Sequence, residues 1–155
     1  MKKADFISNV YAARQEFNSI VDGLTVDQML QPGVCGEWSV KDLVAHIAWY
    51  EREMISVLET HALTGSDLWD LTLEQRNAAI YAVNKDRLLR DVLTEARLVS
   101  VDLVRLLPTL SEADLNDASG FPGMPFDWQP WQVIASNTYE HYADHLGEIR
   151  KVFGK

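Results

Sequence analysis

Apolar residues recur at three-to-four spacing in four stretches of this chain, and the glycines and prolines fall mostly between them, which predicts helices joined by loops. The first stretch runs from about Asp5 to Val21, with Phe6, Val10, Ala13, Phe17 and Ile20 or Val21 on its stripe and Asp22-Gly23 as a stop. The second starts at Ser39, an N-cap residue with Asp42 in the capping-box position, and carries Leu43, Ile47, Tyr50, Met54 and Leu58. The third spans roughly Asp86 to Leu107, buries Leu89, Val92 or Leu93, Ala96, Val99, Leu103 and Leu106 or Leu107, and ends at Pro108. The fourth begins at Pro130, a natural first-turn residue, and continues to about Phe153 through Ile134, Thr138, Tyr142, His145, Ile149 and Val152.

At 1.5 Å per residue the last three of these helices are each about 33 to 36 Å long, and matched lengths suit a bundle. Residues 61–84 break the pattern, with Gly65-Ser66-Asp67 and a short amphipathic piece from Leu73 to Tyr81, and read as a crossover connection. Residues 108–129 hold Pro108, Gly120, Pro122, Gly123 and Pro125 and read as a long loop. The expectation is an all-α, single-domain four-helix bundle over residues 1–155.

Composition narrows the function classes. Acidic residues outnumber basic ones 23 to 14 and no Lys/Arg cluster offers a track for phosphates, so nucleic acid is excluded as a partner. Cys35 is the single cysteine and has no intramolecular disulfide partner; Met1-Lys2-Lys3 runs into Ala4-Asp5-Phe6 without an apolar leader. No apolar run approaches the roughly 20 residues of a membrane span. A cytoplasmic protein that does not engage membranes is expected.

Histidines supply the candidate chemistry. His141 and His145 are four apart and stand one above the other on the face that also holds Ile134, Thr138 and Ile149. His46 shares its side of the second helix with Leu43, Tyr50, Glu53 and Met54. Three inward imidazoles need three hydrogen-bond solutions, and one divalent metal ion supplies all three. The alternative is three core histidines bonded to neighbouring carbonyls, hydroxyls or carboxylates. His61, past the end of its helix, reads as a solvated loop residue. Trp38, Trp49, Tyr50, Trp128 and Trp131 read first as packing anchors.

Depth along the bundle relates these histidines to topology. His46 lies about 10 Å from the start of its helix, while His141 and His145 lie about 12 to 18 Å from the end of theirs. Those depths match only if the second and fourth helices are antiparallel, which requires an up-down-down-up bundle and a long crossover between helices two and three. The 61–84 segment provides it.

Two segments resemble a known group. Gly36-Glu37-Trp38-Ser39-Val40-Lys41-Asp42-Leu43-Val44-Ala45-His46-Ile47-Ala48-Trp49 and Asn137-Thr138-Tyr139-Glu140-His141-Tyr142-Ala143-Asp144-His145 resemble the DinB/YfiT-like superfamily. The His-Tyr-x2-His form and Asn84-Lys85-Asp86 look closest to its ClbS/DfsB branch, named for a protein that protects its producer from a genotoxin. The resemblance implies an up-down-down-up bundle, frequently a homodimer, with a three-histidine site for zinc, nickel or iron mapping onto His46, His141 and His145. Known activities in the superfamily include metal-dependent thiol transfer and a thiol-dependent isomerisation. In the protective branch the same histidines have a metal-free alternative, in acid-base or binding roles.

Three imidazoles leave a coordination position open, as in catalytic rather than structural zinc sites, so that water or a low-molecular-weight thiol can be activated toward a small electrophile. Tyr50 and Tyr142, beside the histidines, are candidate substrate contacts. Glu148, one turn beyond His145, is a candidate orienting group or base, or else part of a solvated face. The expected pocket mouth lies between the Val21 to Trp38 loop and the start of the third helix. The expected function is a metal-dependent hydrolase or thiol transferase acting on a small electrophilic or toxic molecule. The alternative is a metal-free protein that binds or hydrolyses such a molecule.

Overall fold

The computed structural model describes residues 1–155 and is helical, its only extended pairing an isolated bridge between Cys35 and Trp38. Helix α1 spans Lys3–Asp22 and a one-turn helix α2 spans Val26–Leu30. Helix α3 spans Val40–Thr60, α4 spans Leu73–Asn84 and α5 spans Leu89–Leu106. Short α6 (Glu112–Asn116), then α7 (Pro130–Ser136) and α8 (Tyr139–Phe153) complete the chain. Four starts carry full capping boxes: Thr25 with Gln28, Ser39 with Asp42, Thr72 with Gln75 and Ser111 with Asp114. Each satisfies two otherwise orphaned backbone donors and contributes about 1 kcal/mol.

Helix α3 is the axis of the fold. Every residue from Val40 to Glu51 is buried, so this helix is covered on all sides rather than along one stripe. One side joins a core with Phe17, Val21, Val92, Ala96, Tyr142 and Leu146. Farther along, Met54, Val57 and Leu58 join Phe6, Val10, Leu103, Leu107 and Ile134. The crossover covers a third side through Trp49, Tyr50 and Ile80, with Leu68 and Trp69 packed against them.

Cross-helix contacts give the relative directions. Lys41 at the start of α3 donates to the Lys85 and Arg87 carbonyls ahead of α5, and Arg52 pairs with Glu95 farther on, so α3 and α5 run parallel. Phe6 meets Tyr139 and Glu16 meets Arg150, so α1 and α8 run parallel as well. His46 reaches His145 while Glu51 reaches Tyr142, which makes α3 antiparallel to α8. Residues 61–88 therefore cross over between two parallel helices, and the senses of α1, α3, α5 and α8 read up, down, down, up.

The expected fourth helix is in fact two. Thr138, fully buried, leaves helical geometry at φ −131°, ψ −103°. Its hydroxyl donates to the Ile134 carbonyl at 2.6 Å and the Asn137 side-chain amide donates to the Val133 carbonyl at 2.7 Å. These side chains take carbonyls that a continuous helix would use, a competition that bends or breaks helices. The crossover is also more ordered than expected, with a 3₁₀ turn at Asp67–Asp70 ahead of the 12-residue α4. His61 is not a free loop residue: it caps α3 at φ +46°, stacks on Phe121 at 5.4 Å and lies 3.7 Å from Asp114.

Candidate metal centre

Because Ser39 and Asp42 fix the start of α3, His46 enters the interior two turns later, only 3% exposed. Trp38 packs edge-on against its ring at 5.2 Å. The break at Thr138 starts α8 afresh, and His141 and His145 then project from one face of it toward His46. The His46 and His141 Nε2 atoms are 3.0 Å apart, and those of His141 and His145 are 2.9 Å apart. The sequence-derived trio is thus brought together.

Burial first, then the neighbouring imidazoles, push His46 down to about 2; the same causes push His141 down to about 3. Both rings are neutral at physiological pH. The His145 Nδ1 lies 2.7 Å from Glu148 Oε2, so the carboxylate accepts the Nδ1 proton and leaves the Nε2 lone pair facing the other rings. Three ring nitrogens at these separations cannot all satisfy one another, since each neutral ring carries one proton and the central His141 Nε2 has one hydrogen or one lone pair. A cation accepting three lone pairs resolves the conflict, so the donor set fits a transition metal. The Nδ1 atoms of His46 and His141 are buried without partners.

Other sequence-derived residues divide. Tyr50 stands 4.8 Å, ring to ring, from both His46 and His141, and its hydroxyl donates to Asn77 at 3.2 Å. Glu148 is engaged with His145 rather than free on a solvated face. Tyr142 requires correction: it is fully buried, and its hydroxyl donates to Glu51 Oε1 at 2.5 Å, away from any ligand space. Arg14 completes that cluster, 2.7 Å from Glu51 and donating also to the Ala96 carbonyl.

A cavity of about 850 Å³ opens onto the three histidines. Its walls come from the crossover and from the α7–α8 region, and not from the Val21 to Trp38 loop and the start of α5, where the mouth was expected. Trp69, Arg76 and Asn77 of the crossover and Trp128 of the loop before α7 are lining residues without a motif to announce them. Trp69, the one aromatic residue between residues 64 and 77, was the available signal. Glu53 holds this wall in place, accepting from the Ser66 N–H at 2.9 Å and the Trp69 Nε1–H at 2.7 Å. Gly65 passes so close that a Cβ there would sit 2.2 Å from the Trp69 ring.

Cys35, half-buried, has its thiol pushed up to about 11, first by burial and then by the neighbouring Glu148 carboxylate. It is a protonated neighbour of the site rather than a ready nucleophile. No helix is long and apolar enough to cross a membrane.

Comparisons with known proteins agree with this architecture. An uncharacterised protein from Escherichia coli UTI89 superposes with a TM-score of 0.73 at 17% identity, covering 97% of this chain and 91% of its own. A Streptococcus pneumoniae protein superposes with a TM-score of 0.76 at 12% identity, covering 97% and 90%. At those identities the likeness shows the fold alone. A search of curated proteins gives no match. The sequence profile of the DinB superfamily matches residues 9–149, a span containing all three histidines and both walls of the cavity, and the chain belongs to that superfamily.

Proposed function

We propose that this protein is a metal-dependent enzyme, a hydrolase or thiol transferase that acts on a small electrophilic molecule. The observation that carries the reading is the convergence of three Nε2 atoms on one point at the floor of a ligand-sized cavity. His46, His141 and His145 would hold the ion, of zinc, nickel or iron type. When bound, it supplies a Lewis acid that activates water or a low-molecular-weight thiol at neutral pH. Glu148 keeps the proton of His145 on Nδ1 and fixes that ring's orientation. Tyr50, held by Asn77, offers its hydroxyl to a substrate, and Trp69 and Trp128 shield the reacting centre from bulk water. The nucleophile's oxygen or sulfur bonds to the electrophilic carbon as the leaving group departs with its electron pair, and the nucleophile's proton passes to that leaving group or to solvent.

Metal analysis of protein purified without a histidine tag tests this reading. About one equivalent of transition metal, or uptake of added zinc or nickel to that level, is expected. Less than about a tenth of an equivalent with no uptake would overturn it.

A second reading is a metal-free protective protein that binds or hydrolyses a toxic small molecule, as the ClbS/DfsB resemblance implies. The partnerless Nδ1 atoms of His46 and His141 favour it, because metal-bound imidazoles ordinarily donate that proton to an acceptor. It predicts ligand binding that survives chelator.

A further inference from the structure

The charged groups around the cavity are unevenly matched. Asp67 and Asp70 on the crossover turn and Asp144 on α8 all line it, all are exposed, and none is engaged by a hydrogen bond or ion pair. The sole cationic side chain in the lining, Arg76, is already committed. Its Nε donates to the Leu68 carbonyl at 3.1 Å, its Nη2 donates to the Trp69 and Leu71 carbonyls at 3.4 and 3.2 Å, and its guanidinium lies 4.2 Å from the Trp69 ring centroid. Those bonds tie its donors to the turn; its positive charge remains and offsets one of the three carboxylates, so the charged lining stays net negative. The walls between carboxylates and histidines are aromatic: Tyr50, Trp69 and Trp128, the last 46% exposed at the mouth. At the floor His46, 3% exposed, has an Nδ1 without a partner.

We infer that the ligand of this cavity is an apolar or aromatic molecule bearing a cationic amine or ammonium group, with that group at the Asp67, Asp70 and Asp144 mouth and the body against the tryptophans. The inference deepens the proposed function by naming a substrate class, and rests on that reading only in taking this cavity as the ligand site. Two features of the lining select the class together. Unpaired carboxylates on two separate walls attract a cation and repel an anion, and tryptophan and tyrosine faces stabilise cations further. At about 7 Å through water each carboxylate changes the affinity of a unit charge about threefold, in opposite senses for the two signs. Salt weakens the effect, because the mouth is open to solvent.

The test uses two probes with one naphthalene body, one carrying a two-carbon trimethylammonium tail and the other a two-carbon sulfonate tail. Binding is measured by titration calorimetry on the purified full-length protein at low ionic strength and again at about 0.5 M salt. The ammonium probe is expected to bind at least about tenfold more tightly than the sulfonate, with the preference shrinking in high salt. In Asp67→Asn/Asp70→Asn the preference should fall at least about threefold, whereas Asp27→Asn/Glu112→Gln, which removes the same charge away from the cavity, should leave it unchanged. Both pairs are exposed, so circular dichroism and metal content should match the parent protein in either variant.

Equal or tighter binding of the sulfonate overturns the ligand class while leaving the metal reading intact. A preference that drops equally in the two double variants overturns the assignment to the mouth, since net charge alone would then account for it. Failure of both probes to bind at millimolar concentration overturns the cavity as the ligand site. Conversely, an ammonium preference in protein that neither contains nor takes up metal refutes the proposed function and supports this inference.

Discussion

Removing the Glu148 carboxylate tests the reading of the histidine cluster most directly, because it alters the site without touching a ligand. The His145 Nδ1 to Glu148 Oε2 distance is 2.7 Å, and the two residues are three apart on α8, so the contact is held by the helix itself. His145 is 12% exposed and Glu148 31%, placing the bond at the edge of solvent. Ionic character makes such a bond stronger than a neutral one, and it fixes the tautomer that directs the Nε2 lone pair inward. Since His46 and His141 have no Nδ1 partner, Glu148 is the sole acceptor serving the trio. Loss of such a partner typically weakens metal binding about 10- to 100-fold, or about 1.4 to 2.7 kcal/mol. Glu148→Gln retains a neutral acceptor oxygen and belongs at the low end, with Glu148→Ala at the high end. Zinc competition against a chromophoric chelator at pH 7.5 measures the change. Stability of the metal-free protein serves as control and should move by no more than about 1 kcal/mol, since the pair is partly solvated. Zinc affinities within twofold of the parent in both variants would refute the argument that Glu148 orients His145.

Other perturbations give separable outcomes. His46→Ala should abolish the thermal stabilisation that zinc confers, which at a hundredfold excess over Kd is about 2.7 kcal/mol, or about 5 to 10 °C for a domain of this size, as read by calorimetry. Tyr142→Phe removes a hydroxyl bonded to buried Glu51 and should cost about 1 to 3 kcal/mol in urea unfolding with no change in ligand binding; a selective loss of binding would restore it as a substrate contact. Glu51→Ala leaves Arg14 buried without its anion and should cost about 3 to 5 kcal/mol, while the Arg14→Met/Glu51→Met pair should recover much of that loss. Folding of the metal-free protein should weaken as pH falls below about 6.5: His46 and His141 titrate at about 2 and about 3 when folded, the unfolded chain therefore binds more protons, and together they contribute about 2.7 kcal/mol per pH unit. Urea unfolding in chelator at pH 7.5, 6.0 and 5.0 measures that slope, and His46→Phe should halve it.

Much of this architecture is legible along the chain because its determinants are local. The stripes of α1 and α5, the Ser39-Asp42 box and the His141-x3-His145 spacing each act within a few residues, and each of these features is present. The break at Asn137-Thr138 was not legible as a break: Thr138 fits the apolar stripe of a continuous helix, and only the folded backbone decides whether its hydroxyl takes the Ile134 carbonyl. The cavity walls were hidden for a different reason, since Trp69 and Asn77 reach the cavity and Tyr50 through a crossover whose path depends on tertiary contacts with Glu53. Tyr142 was misread because α3 buries two opposite faces. His46 and Glu51 are five residues apart, about 140° around the helix, so they point into different polar clusters. Helix α8 answers both, sending His141 and His145 to the first and Tyr142 to the second. Arg14 of α1 then closes the second cluster against Glu51 and the Ala96 carbonyl of α5, tying all four long helices at one level. A slip of α8 along α3 by one turn would take the Tyr142 hydroxyl from buried Glu51, leaving it only Arg14, at the same moment as it separated the imidazoles, so the cluster behind the site favours the register on which the histidine convergence depends.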